Sequence, residues 1–281
     1  MLTPASRRRA PIAILTDFGY RDHYVGAMKG VISSIAPAAT IVDITHGIPP
    51  QQIIAGALGL RECVEFFPRG TVFLAVVDPG VGTNRLPIAL ETRNGMRMVG
   101  PDNGLLWPAA ERAKIKAIVE LRASRYRLPD VSATFHGRDL FAPAAAWLWR
   151  GLALRQLGPP LDAIVRLEPE VGVVETKEKL SGSVIYVDSF GNLVTNISRA
   201  RVERFAERFR GCRLSFRVRS RASLKLYKAY GDAPPGVPLA IFGSFGLLEI
   251  AVRDGSAAAY FTVKPGAPVV VRAERQPSTR H

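Results

Sequence analysis

The 281-residue chain is poor in cysteine and has no long hydrophobic run. Its two cysteines, Cys63 and Cys212, stand far apart, so neither a zinc cage nor a disulfide framework is expected. The longest apolar stretch, near residues 142–149, is well short of the roughly 18 residues that cross a bilayer. The N-terminal MLTPASRRRAP has no apolar segment behind its arginines, unlike a secretory signal. We therefore expect a soluble protein of the reducing cytoplasm, with no membrane partner.

The common catalytic motifs are also missing. There is no GxxxxGK[ST], no GxGxxG after the first apolar run, no GxSxG and no HExxH. Phosphate-loop, dinucleotide-binding, serine hydrolase and zinc protease functions therefore lose support. An enzyme built from this sequence needs a less common set of residues.

Basic charge is concentrated in one segment. Of a formal net charge of +14, residues 199–228 carry eleven Lys/Arg against two Glu, and Arg7, Arg8 and Arg9 add three more positive charges. Such a segment can bind polyanions, so a nucleic-acid-binding module is one alternative function. The spacing favours a simpler interpretation, in which the arginines lie on the polar side of a helix at 199–208 and on the exposed face of a strand containing Arg217, Arg219 and Arg221. Nucleic acid is not an expected partner.

The first half of the chain alternates apolar runs with amphipathic segments. Strands are predicted at 11–15, 40–44, 71–77, 86–92 and 115–121, and helices at 23–36, 51–67 and 138–154. Strand–helix units of this size predict a mostly parallel sheet covered by helices on both faces.

The pattern changes in the second half. Residues 157–182 are rich in Pro, Gly and Glu and read as a linker. Short strands are then predicted at 183–187, 212–218, 238–242, 247–252 and 268–273, with one clear helix near 199–208, which favours a small β-barrel or sandwich. The predicted domains are 1–175, including linker, and 176–281.

Polar residues follow several of the predicted strands. Asp17 comes after the first strand, Asp78 follows the third, and later loops offer GPDNG (100–104) and FHGRD (135–139). Ligands collect at the carboxyl ends of strands in open α/β sheets. A single aspartate at such a position is weak support for a ligand site, because Asp is an ordinary helix cap and turn former. Three in succession are stronger support for a site.

Six segments, from about residue 11 to residue 272, carry a shared pattern: TDFGYRDHYVGAMKG (16–30), VVDPGVGTNR (76–85), GPDNG (100–104), TFHGRDLFAP (134–143), VDSFGNLVTNI (187–197) and GSFGLLEIAVRDGSA (243–257). Together they resemble the S-adenosylmethionine hydroxide adenosyltransferases, hydrolase relatives of the S-adenosylmethionine fluorinases and chlorinases. With the strand pattern, the predicted fold class is α/β, with an N-terminal Rossmann-like domain of mostly parallel sheet followed by a smaller, barrel-like all-β domain.

The resemblance implies an enzyme in which water or hydroxide attacks the ribose C5′ of S-adenosyl-L-methionine, giving adenosine and L-methionine. No cofactor or metal is implied, because S-adenosylmethionine is the substrate. A sulfonium leaves as a neutral thioether, so catalysis reduces to preparing and aligning the nucleophile.

The family's catalytic trio falls on Asp78, Arg85 and His136. The resemblance implies that Asp78 and His136 orient a water and accept its proton, while Arg85 stabilises the developing hydroxide. Which of the two takes the proton stays open. Taken alone, the three residues also fit a turn-forming aspartate, a surface arginine and a helix-capping histidine.

The resemblance also assigns substrate contacts. Asp17 is expected to hold the ribose hydroxyls, although a helix cap is its structural alternative. Asp22 and Asp102 are expected to shape the first-domain side of the pocket. The second-domain contacts are Asp188 for the methionine amino group, Asn192 for adenine, Ser244 for the methionine end, and Phe190 and Phe245 as walls for adenine.

Two further expectations come from the resemblance. Similar family members are homotrimers whose pocket lies between the first domain of one subunit and the second domain of its neighbour. Fluorinase-like relatives hold Tyr at the position of Asp78 and Ser at the position of Gly137. A carboxylate repels halide and helps a water that needs a base, so hydrolysis is favoured over the alternative, a chlorinase-like halogenase.

Overall fold

The computed structural model describes residues 9–219 and 223–275. Arg7, Arg8 and Arg221, singled out above as basic residues, lie outside the described residues. Contacts divide the chain into two units, Met1–Leu167 and Glu168–His281. The predicted boundary between residues 175 and 176 stays a prediction.

The first unit alternates strands with helices. Its strands are β1 (Ile12–Thr16), β2 (Ile41–Thr45), β3 (Val72–Val76), β4 (Pro87–Thr92), β5 (Arg97–Pro101) and β6 (Ile115–Glu120). Its helices are α1 (Tyr24–Ile35), α2 (Ile53–Val64), α3 (Trp107–Arg112) and α4 (Ala142–Trp149), with a π-helical turn at Gly137–Phe141 and 3₁₀ turns at Ser124–Tyr126 and Leu154–Gln156.

The strands form one sheet in the order β2-β1-β3-β5-β4-β6. β1 pairs in parallel with β2 and β3, and β3 with β5, whereas β4 runs antiparallel to both of its neighbours. The predicted α/β class with a mostly parallel sheet is therefore confirmed.

Alternating side chains of the central strands build a core on each face of this sheet. Ile12 and Ile14 of β1 pack with α1 and α4, whereas Ala13 and Leu15 pack with α2 and α3. All four side chains are buried, and burying a side chain such as Ile or Leu contributes roughly 1.5–3 kcal/mol. The chain leaves β1 through a helix on one face and reaches β3 through a helix on the other. The carboxyl ends of β1 and β3 therefore form a switch point in the strand order, the usual place for a ligand crevice.

The second unit is a nearly closed antiparallel sheet. Its elements are β7 (Val174–Glu175), β8 (Lys179–Val187), β9 (Leu193–Ser198), α5 (Arg199–Glu207), β10 (Cys212–Val218), a 3₁₀ turn (Tyr230–Asp232), β11 (Pro238–Phe242), β12 (Leu247–Val252), α6 (Ala257–Phe261) and β13 (Pro268–Arg275). The order is β10-β13-β8-β9-β12-β11, with β7 beside β8. Leu224 bridges to Phe216 of β10 and Leu226 to Ala240 of β11, so a short segment links the two edge strands. The predicted barrel-like character is confirmed.

The prediction is wrong in several details. It contained neither strand β5, nor strand β9, nor helix α3. The helix expected at 138–154 begins as a π-helical turn and ends at Trp149, because the chain reverses through Gly151 at φ +103°. The stretch predicted as a linker already contains β7 and the start of β8. The second unit has a further helix, α6, whose N-cap Ser256 accepts a hydrogen bond from the Ala259 backbone N–H.

Ion pairs account for part of the basic segment. Arg201 pairs with Glu170 at 2.6 Å, Arg217 pairs with Glu274 at 2.9 Å, and Arg208 pairs with Glu175. These pairs favour the simpler interpretation of the segment over a nucleic-acid surface. Within the described ranges, no helix is both long and apolar enough to span a membrane.

Candidate active site

Asp78, Arg85 and His136 form one hydrogen-bonded cluster in the first unit. Arg85 Nε donates to both carboxylate oxygens of Asp78 at 3.0 Å, and Arg85 Nη2 donates to Asp78 Oδ2 at 2.5 Å. The same Nη2 lies 2.7 Å from His136 Nδ1. The side chains of Asp78 and Arg85 are only 5% and 8% exposed, so water screens this ion pair little. The structure brings the predicted trio together.

The contact with Arg85 fixes the hydrogen-bonding role of His136. A guanidinium only donates, so His136 Nδ1 accepts, and a neutral imidazole then carries its hydrogen on Nε2. Burial, and after it the positive charge of Arg85, lower the pKa of His136, although Asp78 and Asp139 oppose them. The imidazole is therefore neutral at pH 7 and presents an N–H donor at Nε2.

Local turns bring Asp78 and Arg85 together although they are seven residues apart. Directly after β3, the Val81 backbone N–H donates to the Asp78 carbonyl at 3.2 Å. The Thr83 hydroxyl then donates to the Gly80 carbonyl at 2.7 Å. The chain folds back on itself, and the Arg85 side chain returns to the carboxylate at the strand end.

The loop before His136 is anchored by a buried carboxylate. Asp139 is fully buried and accepts hydrogen bonds from the Ser132 backbone N–H at 2.8 Å and from Arg138 Nε at 2.6 Å. His136 precedes the π-helical turn, and the guanidinium of Arg85 lies 5.2 Å from the ring centroid of Phe141 in that turn. Phe141 was not predicted as a site residue, since an apolar residue in a helical run gives no functional signal.

Asp17 directly follows β1, which pairs with β3, and Asp78 lies two residues after the end of β3. Its Oδ2 accepts a 2.8 Å hydrogen bond from the backbone N–H of Gln51, whose φ of +66° is unusual for a residue other than glycine. Burial raises the pKa of Asp17, and the negative charge of Asp78 raises it further. The two carboxylates are therefore close enough to repel each other. Gln51 was missed, because no sequence pattern signals a backbone donor.

The other first-unit candidates have different surroundings. Asp22 is exposed in the turn before α1. Asp102 Oδ1 accepts a 2.7 Å hydrogen bond from the Val165 backbone N–H, and burial raises the pKa of Asp102. Among the described residues, no group of three or more His, Cys, Asp or Glu side chains is placed to hold a metal ion.

Asp188 and Asn192 contact each other in the second unit. Asp188 Oδ1 accepts from the backbone N–H groups of Phe190 and Asn192, at 2.9 and 2.8 Å, and Oδ2 accepts from Asn192 Nδ2 at 2.9 Å. This contact orients the amide of Asn192, leaving its carbonyl oxygen as the atom suited to accept from a ligand. Phe190, on the same turn, is 79% exposed.

Ser244 and Phe245 lie on the turn between β11 and β12. Ser244 is exposed, and the ring of the half-buried Phe245 is 6.2 Å from that of Tyr186. Beneath this turn Glu249 is only 5% exposed and accepts a 2.9 Å hydrogen bond from Tyr230. Burial and then the charge of Asp188 raise the pKa of Glu249. Sequence reasoning missed Glu249, although a carboxylate inside the apolar run LLEIAV was a usable signal.

Two family models match the chain. The SAM hydroxide adenosyltransferase N-terminal domain covers residues 12–158, and the SAM hydroxide adenosyltransferase C-terminal domain covers residues 182–270. The chain belongs to the SAM hydroxide adenosyltransferase family. The resemblance inferred from six sequence segments is thereby confirmed.

Related proteins are similar to this chain over nearly its whole length. A Thermus thermophilus protein named (R)-S-adenosyl-L-methionine hydrolase is 41% identical over 268 residues, which are 92% of this chain and 98% of that protein. A crystal structure of an uncharacterized conserved protein from Thermotoga maritima has 39% sequence identity and a TM-score of 0.81, and the match covers 93% of this chain and 99% of that chain.

Fluorinases are also similar to this chain, but at lower sequence identity. A fluorinase from Nocardia brasiliensis is 29% identical over 299 residues, covering 96% of this chain and 99% of that protein. The adenosyltransferase-family chain is thus more similar to the named hydrolase than to this fluorinase.

Proposed function

We propose that this protein is an enzyme that hydrolyses S-adenosyl-L-methionine to adenosine and L-methionine. The observation that carries the proposal is the shielded cluster of Asp78, Arg85 and His136 at the carboxyl end of β3. The 41% identity to a protein named as a hydrolase of the same compound supports it.

The reaction balances without a redox partner. The oxygen of one water forms a bond to ribose C5′ while the C5′–S bond breaks, and the bonding electron pair leaves with sulfur. The sulfonium becomes the neutral thioether of methionine, and the water loses one proton. The net result is adenosine, L-methionine and a proton. The protein has to hold the water in line with the C5′–S bond and remove that proton.

We assign the proton to Asp78. His136 Nδ1 is occupied by the Arg85 donor and Nε2 already carries hydrogen, so the neutral imidazole has no ready site for a second proton. Its Nε2–H is suited to hold the water oxygen. Asp78 accepts the proton, and the Arg85 guanidinium offsets the negative charge that builds up on the oxygen.

The binding residues are proposed in the same way. Asp17 accepts from the ribose hydroxyls, and Asp22 contributes on the same unit. The Asn192 carbonyl oxygen accepts from the adenine amino group, with the exposed ring of Phe190 and the ring of Phe245 as apolar walls. Asp188 and Ser244 are assigned to the methionine end. The mutual contact of Asp188 and Asn192 gives Asp188 a structural task besides any contact with an ammonium group.

The relatives' name suggests which sulfonium epimer is the substrate. The Thermus thermophilus protein is named for the R form, so we propose that this enzyme acts on (R)-S-adenosyl-L-methionine. Assaying the separated sulfonium epimers tests this point. Preferential turnover of the S form would contradict it.

Four finer expectations remain proposals. The first unit is Rossmann-like, the enzyme is a homotrimer, it works in the cytoplasm and it needs no cofactor. Sedimentation equilibrium should give a mass of three 30.6 kDa chains. Activity should survive extensive dialysis against a chelator.

The decisive experiment compares products in chloride buffer and in halide-free buffer. Adenosine in both supports water as the nucleophile, whereas a 5′-halo nucleoside that tracks halide would support the chlorinase-like alternative. Asp78→Asn should lower turnover at least about 100-fold while adenosine binding persists. The matched control is Glu91→Gln, which removes a charge from the more exposed pair with Lys116 and should leave turnover unchanged. Undiminished turnover in Asp78→Asn would remove Asp78 from the mechanism.

A further inference from the structure

A series of polar contacts connects Thr16, the residue before Asp17, with His46, Asp43 and Lys29. Thr16 Oγ1 lies 2.8 Å from His46 Nδ1, and His46 Nε2 lies 3.2 Å from Asp43 Oδ1. Asp43 Oδ2 accepts a 2.6 Å hydrogen bond from Lys29 Nζ. Thr16 is fully buried and His46 is 1% exposed, so the contact between them is sheltered from water. None of the four residues belongs to the catalytic trio or to the substrate contacts assigned above.

The negative charge on Asp43 determines which nitrogen of His46 carries the hydrogen. If His46 Nε2 lacked a hydrogen, its lone pair would face a carboxylate oxygen. His46 therefore carries its hydrogen on Nε2, and Nδ1 is an acceptor. Burial lowers the pKa of His46, which agrees with a neutral ring. His46 Nε2 and Asp43 Oδ1 are poorly aligned, yet neither has another hydrogen-bond partner in the described part of the chain. The Thr16 hydroxyl thus donates to His46.

The Thr16 hydroxyl also holds the turn that contains Asp17. The oxygen that donates to His46 accepts a 3.2 Å hydrogen bond from the Phe18 backbone N–H. One residue further, the Gly19 backbone N–H donates to the His46 carbonyl oxygen at 2.8 Å. The Thr16 hydroxyl therefore fixes the backbone at Phe18, and the His46 carbonyl fixes it at Gly19. The Gln51 backbone N–H binds the Asp17 carboxylate itself.

We propose that Thr16 and His46 are positioning residues that aim the Asp17 carboxylate at the two hydroxyls of a ribose. The inference rests on the proposed function, because it takes the Asp17 ligand to be a nucleoside. It deepens that function by assigning the preference for ribose over deoxyribose to residues that touch no substrate. A carboxylate meets a vicinal diol with two oxygens, so a small rotation of Asp17 loses one of the two hydrogen bonds.

The test is calorimetric binding of adenosine and 2′-deoxyadenosine to the full-length protein. The wild type should bind adenosine about tenfold more tightly, because a hydrogen bond to a charged group is lost with the 2′-hydroxyl. Thr16→Val keeps the shape of the side chain and removes the hydroxyl, and it should bring this ratio close to one. Thr16→Ser keeps the hydroxyl and should retain the wild-type ratio. Asp17→Asn should lower the ratio as Thr16→Val does.

A second pair of variants guards against misfolding of Thr16→Val. His46→Leu removes the acceptor at Nδ1 and should lower the ratio, whereas His46→Asn places an amide oxygen near the Nδ1 position and should restore part of it. An unchanged ratio in folded Thr16→Val or His46→Leu overturns the inference, and so does a wild type with no preference for adenosine. Turnover of S-adenosylmethionine is measured separately. A wild type that binds adenosine selectively but releases none from S-adenosylmethionine would sink the proposed reaction and leave the positioning result standing.

Discussion

The α-carbon of Gly82 lies against the carbonyl oxygen of Ala133, and a Cβ added at Gly82 would be 2.7 Å from that oxygen. Gly82 lies between Asp78 and Arg85, and Ala133 lies three residues before His136. This close backbone approach is how two separate loops bring the trio together. Gly82 also has a φ of +77°, a conformation that side chains disfavour.

We therefore expect Gly82→Ala to lower stability and turnover together. The variant adds left-handed backbone strain and a clash with a backbone atom that has little freedom to move. Gly95→Ala is the matched control, because Gly95 has a φ of +83° but nothing within 4 Å of an added Cβ. The control should lose about 1–2 kcal/mol of unfolding free energy and keep full activity. In urea unfolding, equal losses for the two variants would contradict the close-approach argument.

The activity should fall as the pH drops below the ordinary histidine value of 6.5. The folded protein lowers the pKa of His136, mainly by burial, so the ring stays neutral down to a lower pH than in the unfolded chain. The stability that this gives is present above the unfolded pKa and is lost as pH falls through the folded pKa. Protonation there also places a hydrogen on Nδ1, facing the Arg85 donor.

A profile of kcat/KM against pH measures this loss of activity at low pH. His136→Gln should be slower at all pH values and should lose the decline caused by protonation of His136, which lies below pH 6.5 because the protein lowers this pKa. Asp17, whose pKa is raised above 3.8, should contribute a separate decline that remains in both proteins. A His136→Gln profile parallel to that of the wild type would mean that another group controls the acid limb.

Much of this arrangement could be predicted from the sequence. The β1 and β3 runs are continuously apolar because both faces of the sheet are covered, and polar residues at their ends were therefore candidates. Strand β9 could not be predicted this way. Its Thr195 and Asn196 look like loop residues, but Thr195 donates to the Leu248 carbonyl and Asn196 accepts from the Ser183 backbone N–H. Tertiary partners, which a sequence pattern does not show, make their burial possible.

The same limit applies within the candidate site. His46 reads as an isolated histidine after a strand, and only the pairing of β1 with β2 brings it to Thr16. The trio was found because the family pattern joins residues 78, 85 and 136 across long separations. Physical reasoning from local sequence alone left all three with ordinary structural roles.

Asp17→Asn should stabilise the protein while weakening ribose binding. Burial and the Asp78 charge raise the pKa of Asp17, so an ionised Asp17 destabilises the folded state at pH 7. Removing that charge should raise the urea midpoint, so the native aspartate costs stability and serves binding.

Asp43→Asn is the opposite case. Burial alone would raise the pKa of Asp43, but the hydrogen bond from Lys29 and the contact with His46 lower it. That variant should be less stable than the wild type at pH 7. Shifts of the same sign in both variants would contradict this account.

Phe190→Ala should weaken substrate binding without affecting the fold. The ring is 79% exposed on the turn held by Asp188, so the folded protein gains little from it and a bound adenine would gain much. We expect KM to rise about tenfold, with the unfolding free energy unchanged within about 0.5 kcal/mol. Phe66→Ala is the control, because Phe66 lies two residues after the end of α2, is 84% exposed and has no assigned substrate contact. Its KM should equal that of the wild type. If the two variants behave alike in steady-state kinetics, Phe190 is an ordinary exposed side chain and the adenine wall must be sought elsewhere on the second unit.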